Sequence, residues 1–173
     1  MPLFVLIVAV VLLVLGFTAF TGAPYVPSRR RELEWVFTKL HPLNRHDVVV
    51  DLGAGDGVVL RTVRQFGARA VGYEIGPVYA LIARLLARGD AGQSILMKNY
   101  WHADFPADTT VVYVFSDGRD IAKVHRLVAR QATRLNRQLV FITHGFAVPG
   151  VKADKTGRAY LLYRVNPCPK GEA

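Results

Sequence analysis

The chain has 173 residues, of which 51% are hydrophobic and 20% are charged. This length fits one domain of ordinary size, and the composition excludes an intrinsically disordered or collagen-like chain. Lys and Arg (22) outnumber Asp and Glu (13), for a formal net charge of +9. The single cysteine, Cys168, excludes an internal disulfide and a zinc site built from cysteines.

Residues 1–28 contain no Asp, Glu, Lys, Arg or His, and 16 of the 18 residues in 3–20 are hydrophobic. As a helix, 3–20 would be about 27 Å long, close to the thickness of the hydrocarbon core of a bilayer. A cleaved signal peptide is the alternative, but signal peptides place basic residues before the apolar run, whereas Arg29–Arg31 follow it here. We therefore predict a single-pass transmembrane anchor at 1–23, with the following domain on the cytoplasmic side.

A linker at 24–28 follows, where two prolines stop the helix, and 29–173 form the domain. The predicted helices are one capped by Ser28 and ending near Leu40, and those at 58–66, from Pro77 to Gly89, and at 119–135. The predicted strands lie between and after them, at 47–52, 68–75, 94–99, 110–115, 138–143 and 159–165. Strands that alternate with helices predict an α/β fold with a mostly parallel sheet.

Apolar residues at helical spacing predict the buried faces of these helices. The first helix has Leu33, Val36, Phe37 and Leu40 on one face, and the helix at 119–135 has Ile121, Val124, Leu127, Val128 and Leu135. The helix that starts at Pro77 has a wide apolar face formed by Tyr79, Leu81, Ile82, Leu85 and Leu86.

A glycine-rich turn, DLGAGDG at 51–57, joins the first strand of the domain to a helix. Such a turn lets a ligand approach the backbone closely, at the edge of the sheet where α/β proteins bind nucleotides. The phosphate loop ending in Gly-Lys-Ser/Thr is absent, and Val58 replaces the third glycine of the dinucleotide fingerprint. Asp51 and Asp56 would also repel a pyrophosphate, by about 4 kcal/mol for like charges roughly 4 Å apart.

Two further polar residues end the next strands. Glu74, 23 residues after Asp51, is placed to accept hydrogen bonds from both hydroxyls of a ribose. The amide of Asn99 has the acceptor and donor that an adenine edge requires. Each feature alone could be structural, but the three in order predict a site for a phosphate-free, positively charged adenosine, S-adenosylmethionine.

The motif DLGAGDG followed by the acid of VGYEI resembles motif I and the strand-two acid of class I S-adenosylmethionine-dependent methyltransferases. PYVPS, GYEIGPVYALIARL, KNYW, FAVP and AYLLYRV extend the resemblance to the small membrane-anchored lysine methyltransferases that modify the c subunit of ATP synthase and the adenine nucleotide translocase. The resemblance implies a Rossmann-like seven-stranded sheet whose last strand is antiparallel.

It also implies the site residues. By the resemblance, Asp51, Gly53, Gly55 and Glu74 hold the cofactor, and PYVPS, which includes Tyr25 and Pro27, lies near the cofactor and the substrate entrance. From their positions in the chain, we add Ala54, Asn99 and Tyr100 to the cofactor site and Trp101 to the entrance. The chain departs from the family at Gly76, where relatives often have Asn, and at Asn99, where many have an acid.

Few residues suggest catalysis directly. Asp117 and His144, which follow the fourth and fifth strands, could orient or deprotonate an amine, or could be ordinary loop residues. Tyr100 and Trp101 could cover the adenine, line the acceptor channel or belong to the core. We expect no metal at His102, Asp104 and Asp108, since they lie in a proline-containing loop.

The resemblance implies a protein-lysine methyltransferase acting on a membrane or membrane-associated protein. One helix face carries four basic residues, Lys123, Arg126, Arg130 and Arg134. Such a face could bind the phosphates of RNA, so an RNA methyltransferase is an alternative. The predicted anchor makes nucleic acid an unlikely partner. A membrane-tethered binding module without activity is the third hypothesis. The oligomeric state cannot be read from the sequence.

Overall fold

The structure, a computed structural model, describes residues 3–6, 8–9, 16, 28–116 and 118–168. Most of the predicted anchor and residues 24–27 of the linker lie outside the described residues. Among the residues that are described, no helix combines the length and the apolar character needed to cross a membrane.

The helices of the domain are α1 (Arg30–Trp35), which continues into a π-helical turn (Val36–Leu40), α2 (Val58–Arg64), α3 (Pro77–Leu86), a 3₁₀ turn (Tyr100–His102) and α4 (Ile121–Leu135). The strands are β1 (Val48–Leu52), β2 (Arg69–Glu74), β3 (Gln93–Met97), β4 (Val111–Phe115), β5 (Leu139–His144), β6 (Lys155–Gly157) and β7 (Tyr160–Val165).

The seven strands form one sheet in the order β3-β2-β1-β4-β5-β7-β6. β1 to β5 run parallel, whereas β7 pairs antiparallel with both β5 and β6. The predicted mostly parallel sheet with an antiparallel last strand is confirmed. The sequence missed β6, since its three residues, Lys-Thr-Gly, are half-buried or exposed and show no apolar pattern.

Two apolar layers cover the sheet, and every residue of β1 is buried between them. The first layer packs α1, the π-helical turn and α2 against side chains such as Val49, Tyr113 and Ile142, with two alanines of α3. The second layer packs α4 and the segment 100–105 against Val50, Val112 and Phe141. The apolar faces predicted for α1 and α4 are buried as expected.

Two predicted element ends were wrong. Ser28 does not cap α1; its buried hydroxyl forms a hydrogen bond of 3.0 Å with the hydroxyl of Tyr113, and Arg29 precedes the helix. Asn99 does not end β3, which stops at Met97; its Oδ1 instead accepts a hydrogen bond from the Trp101 N–H at 3.0 Å and caps the 3₁₀ turn. Ser28 thus forms a tertiary hydrogen bond where a helix cap was predicted, and Asn99 forms a local one where the end of a strand was predicted.

The wide apolar face of α3 is exposed. The buried residues of this helix are Ala80 and Ala83, and a Cβ on Gly57 would lie 3.3 Å from the Ala83 Cβ. The helix therefore approaches the first layer through its small residues, and its large side chains point away from the core; Leu81 is 58% exposed and Leu85 61%.

Gly72 is required because the side chains of Ala54 and Leu60 lie close to its backbone. A Cβ at this position would lie 2.6 Å from the Ala54 Cβ and 3.0 Å from Leu60. We expect Gly72→Ala to lower the free energy of unfolding by about 1–3 kcal/mol, since overpacking must displace the turn after β1 or the strand itself. Denaturant unfolding measures this.

Gly118→Ala is the matched control. The three atoms nearest to its new Cβ all belong to the side chain of the exposed Phe146, the closest at 3.1 Å, and that ring can move. If both variants lose the same stability, the loss in Gly72→Ala does not come from the close contact between β2 and the turn after β1.

Candidate functional site

The turn between β1 and α2 folds back over the end of β2. Gly53, Gly55 and Gly57 have φ values of 96°, 54° and 81°, which favour glycine. The N–H groups of Gly53 and Ala54 both donate to the Tyr73 carbonyl at 2.9 Å. A Cβ on Gly53 would have no atom within 4 Å, so this side of the turn is open to a ligand.

Glu74 connects this turn to the start of α3. Its Oε2 accepts a hydrogen bond from the Gly55 N–H at 2.8 Å, and its Oε1 accepts one from the Gly76 N–H at 2.6 Å. Each carboxylate oxygen has a further lone pair. The side chain is thus held in place by two backbone groups while it can still accept hydrogen bonds from a ligand.

Asp51 is the most perturbed acid of the described residues. It is 2% exposed, and among those residues its Oδ2 has no hydrogen-bond partner. Burial, with smaller contributions from the charges of Glu74 and Asp56, raises the pKa of Asp51 to about 8. A buried acceptor with no partner calls for a group that is not part of the protein, and a cationic donor would suit it.

Asp56 was expected to face the ligand, but its carboxylate is paired within the protein. Its Oδ2 pairs with Arg61 at 2.8 Å, its Oδ1 accepts from the Val58 N–H at 3.2 Å, and its carbonyl also accepts from Arg61. The repulsion of phosphate predicted for the turn therefore depends mainly on Glu74, since the raised pKa of Asp51 keeps its carboxyl largely neutral near pH 7 in the ligand-free protein.

Asn99, Tyr100 and Trp101 lie where the chain leaves β3. The rings of Tyr100 and Trp101 are 4.8 Å apart at 42°, and both pack partly against the second layer. The Oδ1 predicted to accept from adenine already accepts from the Trp101 N–H, while Asn99 itself is exposed. Both aromatic residues thus contribute to the core and border the site.

His144 is the last residue of β5 and lies between two aromatic rings. Its ring is 4.2 Å from Phe115 and 4.3 Å from Tyr160, nearly parallel to the latter at 12°. Burial lowers the pKa of His144, and the charge of Glu32 offsets this in part. Its Nδ1 is buried without a hydrogen-bond partner among the described residues, so a neutral imidazole with an available nitrogen lies near the rim.

Sequence reasoning missed three residues of this edge: Ser28, Tyr113 and Tyr160. Tyr113 pairs in register with Asp51, on the same face of the sheet, and bonds to Ser28. Burial raises the pKa of Tyr160 to about 12, and the interaction of its hydroxyl with Tyr113 offsets this in part. The strand register, which the sequence does not give, would have revealed the two tyrosines, and the position of Ser28 depends on its tertiary contact with Tyr113.

The remaining candidates lie outside the described residues or form ion pairs with other residues. Asp117, Tyr25 and Pro27 lie outside the described residues. Asp104 pairs with Arg134 at 3.3 Å and Asp108 with Arg69, and no group of three His, Cys, Asp or Glu able to hold a metal ion occurs in the described ranges.

Comparison with solved structures identifies the fold. An RNA methyltransferase from Salinibacter ruber, in complex with S-adenosyl-L-homocysteine, has a TM-score of 0.72 to this chain at 23% identity, over 85% of this chain and 98% of that one. The chain therefore has the fold of class I S-adenosylmethionine-dependent methyltransferases. No family model matches the chain.

Comparison with curated proteins gives more particular relatives. The lysine N-methyltransferase of the ATP synthase c subunit from Rattus norvegicus is 32% identical over 92 residues, 51% of this chain and 42% of that protein. The adenine nucleotide translocase lysine N-methyltransferase of Mus musculus is 42% identical over 65 residues, 37% of this chain and 28% of that protein. The matches thus span less than half the length of either relative.

The raised pKa of Asp51 predicts a pH-dependent stability. Between its usual value of 3.8 and about 8, the folded ligand-free protein holds a proton that the unfolded chain has lost. Stability therefore decreases as the pH rises through this window, by up to about 1.4 kcal/mol per pH unit. Asp51→Asn, which cannot ionise, should remove this decrease and make the protein more stable than the original near the upper end of the window.

Denaturant unfolding across this pH range measures the difference. If Asp51→Asn leaves the pH dependence unchanged, or is less stable than the original protein throughout, Asp51 is not protonated in the folded state.

Proposed function

We propose that this chain is an S-adenosylmethionine-dependent methyltransferase that methylates a lysine side chain of a membrane or membrane-associated protein. The observation that carries the proposal is the presence of two acids, Asp51 and Glu74, on either side of an open glycine turn. Both acids lie at the carboxyl edge of the sheet, and neither forms an ion pair within the described part of the chain.

The residues of the turn fit the cofactor. The unpartnered Oδ2 of Asp51 suits an ammonium group, and the positioned carboxylate of Glu74 suits the two hydroxyls of a ribose. The open face at Gly53 admits a ligand against the backbone. S-adenosylmethionine, when bound, supplies a methyl group activated by its sulfonium.

Support for a lysine acceptor comes from the relatives, which are named as lysine N-methyltransferases of two proteins. Support for a membrane location comes from the apolar segment 3–20 and the basic residues Arg29–Arg31 after it. These favour a single-pass protein with the catalytic domain on the cytoplasmic side.

A lysine must lose its proton before it accepts a methyl group. With a reference pKa near 10.4, only about 0.1% of an exposed lysine is neutral near pH 7.4. His144 is suited to this task because its lowered pKa keeps the imidazole neutral and able to accept a proton. The rings of Phe115 and Tyr160 exclude water from one side of it and would also favour a neutral amine.

Glu74→Gln tests the cofactor site. The amide places an NH₂ against a backbone N–H, so it loses either the Gly55 or the Gly76 bond and one ribose acceptor. Loss of a charge-assisted bond should weaken S-adenosylmethionine binding by at least about tenfold in isothermal titration calorimetry.

Glu34→Gln is the matched control. This residue lies on α1 and pairs only with the exposed Arg30 in the described part of the chain, at 3.1 Å. Its binding should equal that of the original protein. The absence of binding heat from folded original protein would favour the inactive binding module.

The decisive experiment incubates the full chain with native membranes and S-adenosylmethionine carrying a labelled methyl group. We expect label on lysine of a membrane protein, located by peptide mapping, and none with Asp51→Ala. Label in RNA would instead support the alternative suggested by exposed Arg126 and Arg130 and by the structural neighbour from Salinibacter ruber.

His144→Phe tests the proton acceptor while it preserves stacking between Phe115 and Tyr160. We expect kcat to decrease by about 100-fold, with cofactor affinity unchanged, and the pH dependence of kcat to shift to higher pH. His125→Phe, which changes a half-buried histidine of α4, is the control. Unchanged kcat and pH dependence in His144→Phe would assign this residue to packing alone.

A further inference from the structure

The exposed face of α3 is the largest unexplained apolar feature of the described domain. The exposed side chains Val78, Leu81, Ile82, Leu85 and Leu86 follow helical spacing on a single face. Ile75 and Met97, both exposed, extend this surface at the rim; we refer to these seven residues as the α3 surface. Apolar areas of this kind on a soluble domain mark an interaction site.

The α3 surface adjoins the candidate cofactor site. Ile75 directly follows Glu74, and Met97 on β3 is the register partner of Glu74. The start of α3, Gly76 and Pro77, is held by the Glu74 carboxylate through the Gly76 N–H. Whatever covers this surface therefore lies next to the opening of the site.

The charges around the α3 surface are positive. Residues 75–89 and 91–103 contain no Asp or Glu but include Arg84, Arg88 and Lys98, all exposed. The intervening acid, Asp90, pairs with Arg64 at 2.9 Å. An apolar helix face bordered by these three cations is complementary to an anionic lipid surface. Glu74, the acid that adjoins this face, is held at the candidate site by the Gly55 and Gly76 N–H groups.

A second copy of the chain fits this surface less well. A two-fold contact through α3 would bring Arg84, Arg88 and Lys98 of both copies close together without an acid between them. The first residues of the apolar N-terminal segment do not cover the surface either, since Leu3 to Leu6 are themselves exposed. The same chain thus offers two separate apolar surfaces.

We propose that the α3 surface docks onto an anionic bilayer, with α3 parallel to the membrane plane and the opening of the candidate site at the lipid surface. The docking is a second membrane contact, independent of the N-terminal segment and of the methyl-transfer proposal. It orients the domain so that acceptors at the membrane surface reach the opening formed near Glu74.

Site-specific fluorescence in the full chain tests this proposal. Cys168 is exposed and is replaced by serine, after which a single cysteine at Leu85→Cys is labelled with an environment-sensitive dye. The control is Arg130→Cys, on the exposed face of α4 on the opposite layer of the sheet. Vesicles contain phosphatidylcholine with phosphatidylglycerol, with or without brominated acyl chains.

We expect brominated lipid to reduce the Leu85 signal by about twofold or more, since interfacial helices bury their apolar face about 5–10 Å deep. The Arg130 signal should not change. Replacing the anionic lipid with phosphatidylcholine, while the N-terminal segment keeps the chain on the vesicle, should weaken the Leu85 quenching.

Three outcomes would overturn the proposal. Vesicle-bound protein whose Leu85 dye is not quenched has no docked α3. Equal quenching at both positions indicates non-specific adsorption. The Leu85 dye could also be quenched by dye on neighbouring copies of the chain. If this quenching increases with the density of protein on the vesicle and does not depend on bromine, the α3 surface binds a second copy. None of these readouts depends on methyl transfer, so failure of docking and failure of the proposed activity are distinguishable.

Discussion

The candidate site depends on the close contact between the turn after β1 and the end of β2. The Tyr73 carbonyl accepts two N–H groups of the turn, Gly72 leaves room for Ala54, and Glu74 binds the Gly55 N–H. Because the same carboxylate also holds Gly76, one side chain fixes both the turn and the start of α3. The position of the acid therefore does not depend on a ligand.

Two buried polar atoms without a hydrogen-bond partner among the described residues lie at this edge, and another, His41 Nε2, lies after the π-helical turn. The two atoms at the edge are Asp51 Oδ2 and His144 Nδ1, which lie on the same face of the sheet. Such groups destabilise an empty protein. Their concentration near the ends of β1 and β5 is consistent with a site that gains its missing hydrogen bonds from ligands, at a cost to the stability of the free chain.

Local patterns predicted the order of the main elements because each strand is a short buried run bounded by turn residues. They also predicted the glycine turn and the spacing of Asp51 and Glu74. They failed for Ser28, where a cap was expected but the hydroxyl bonds to Tyr113, and for β6, which has no apolar pattern. The Ser28 bond joins residues far apart in sequence, which periodicity does not record, whereas β6 is defined by its hydrogen bonds to the neighbouring β7 and not by an apolar pattern.

The sequence by itself determined every strand except β6, together with the glycine turn and the acidic residues at the ends of β1 and β2, since these depend on composition and short spacing. Only the tertiary structure decided that α3 packs through Ala80 and Ala83 and exposes its leucines, and that His144 lies between Phe115 and Tyr160. The physical reason is that helical periodicity shows that an apolar face exists, whereas the neighbouring elements decide which side of the helix is covered.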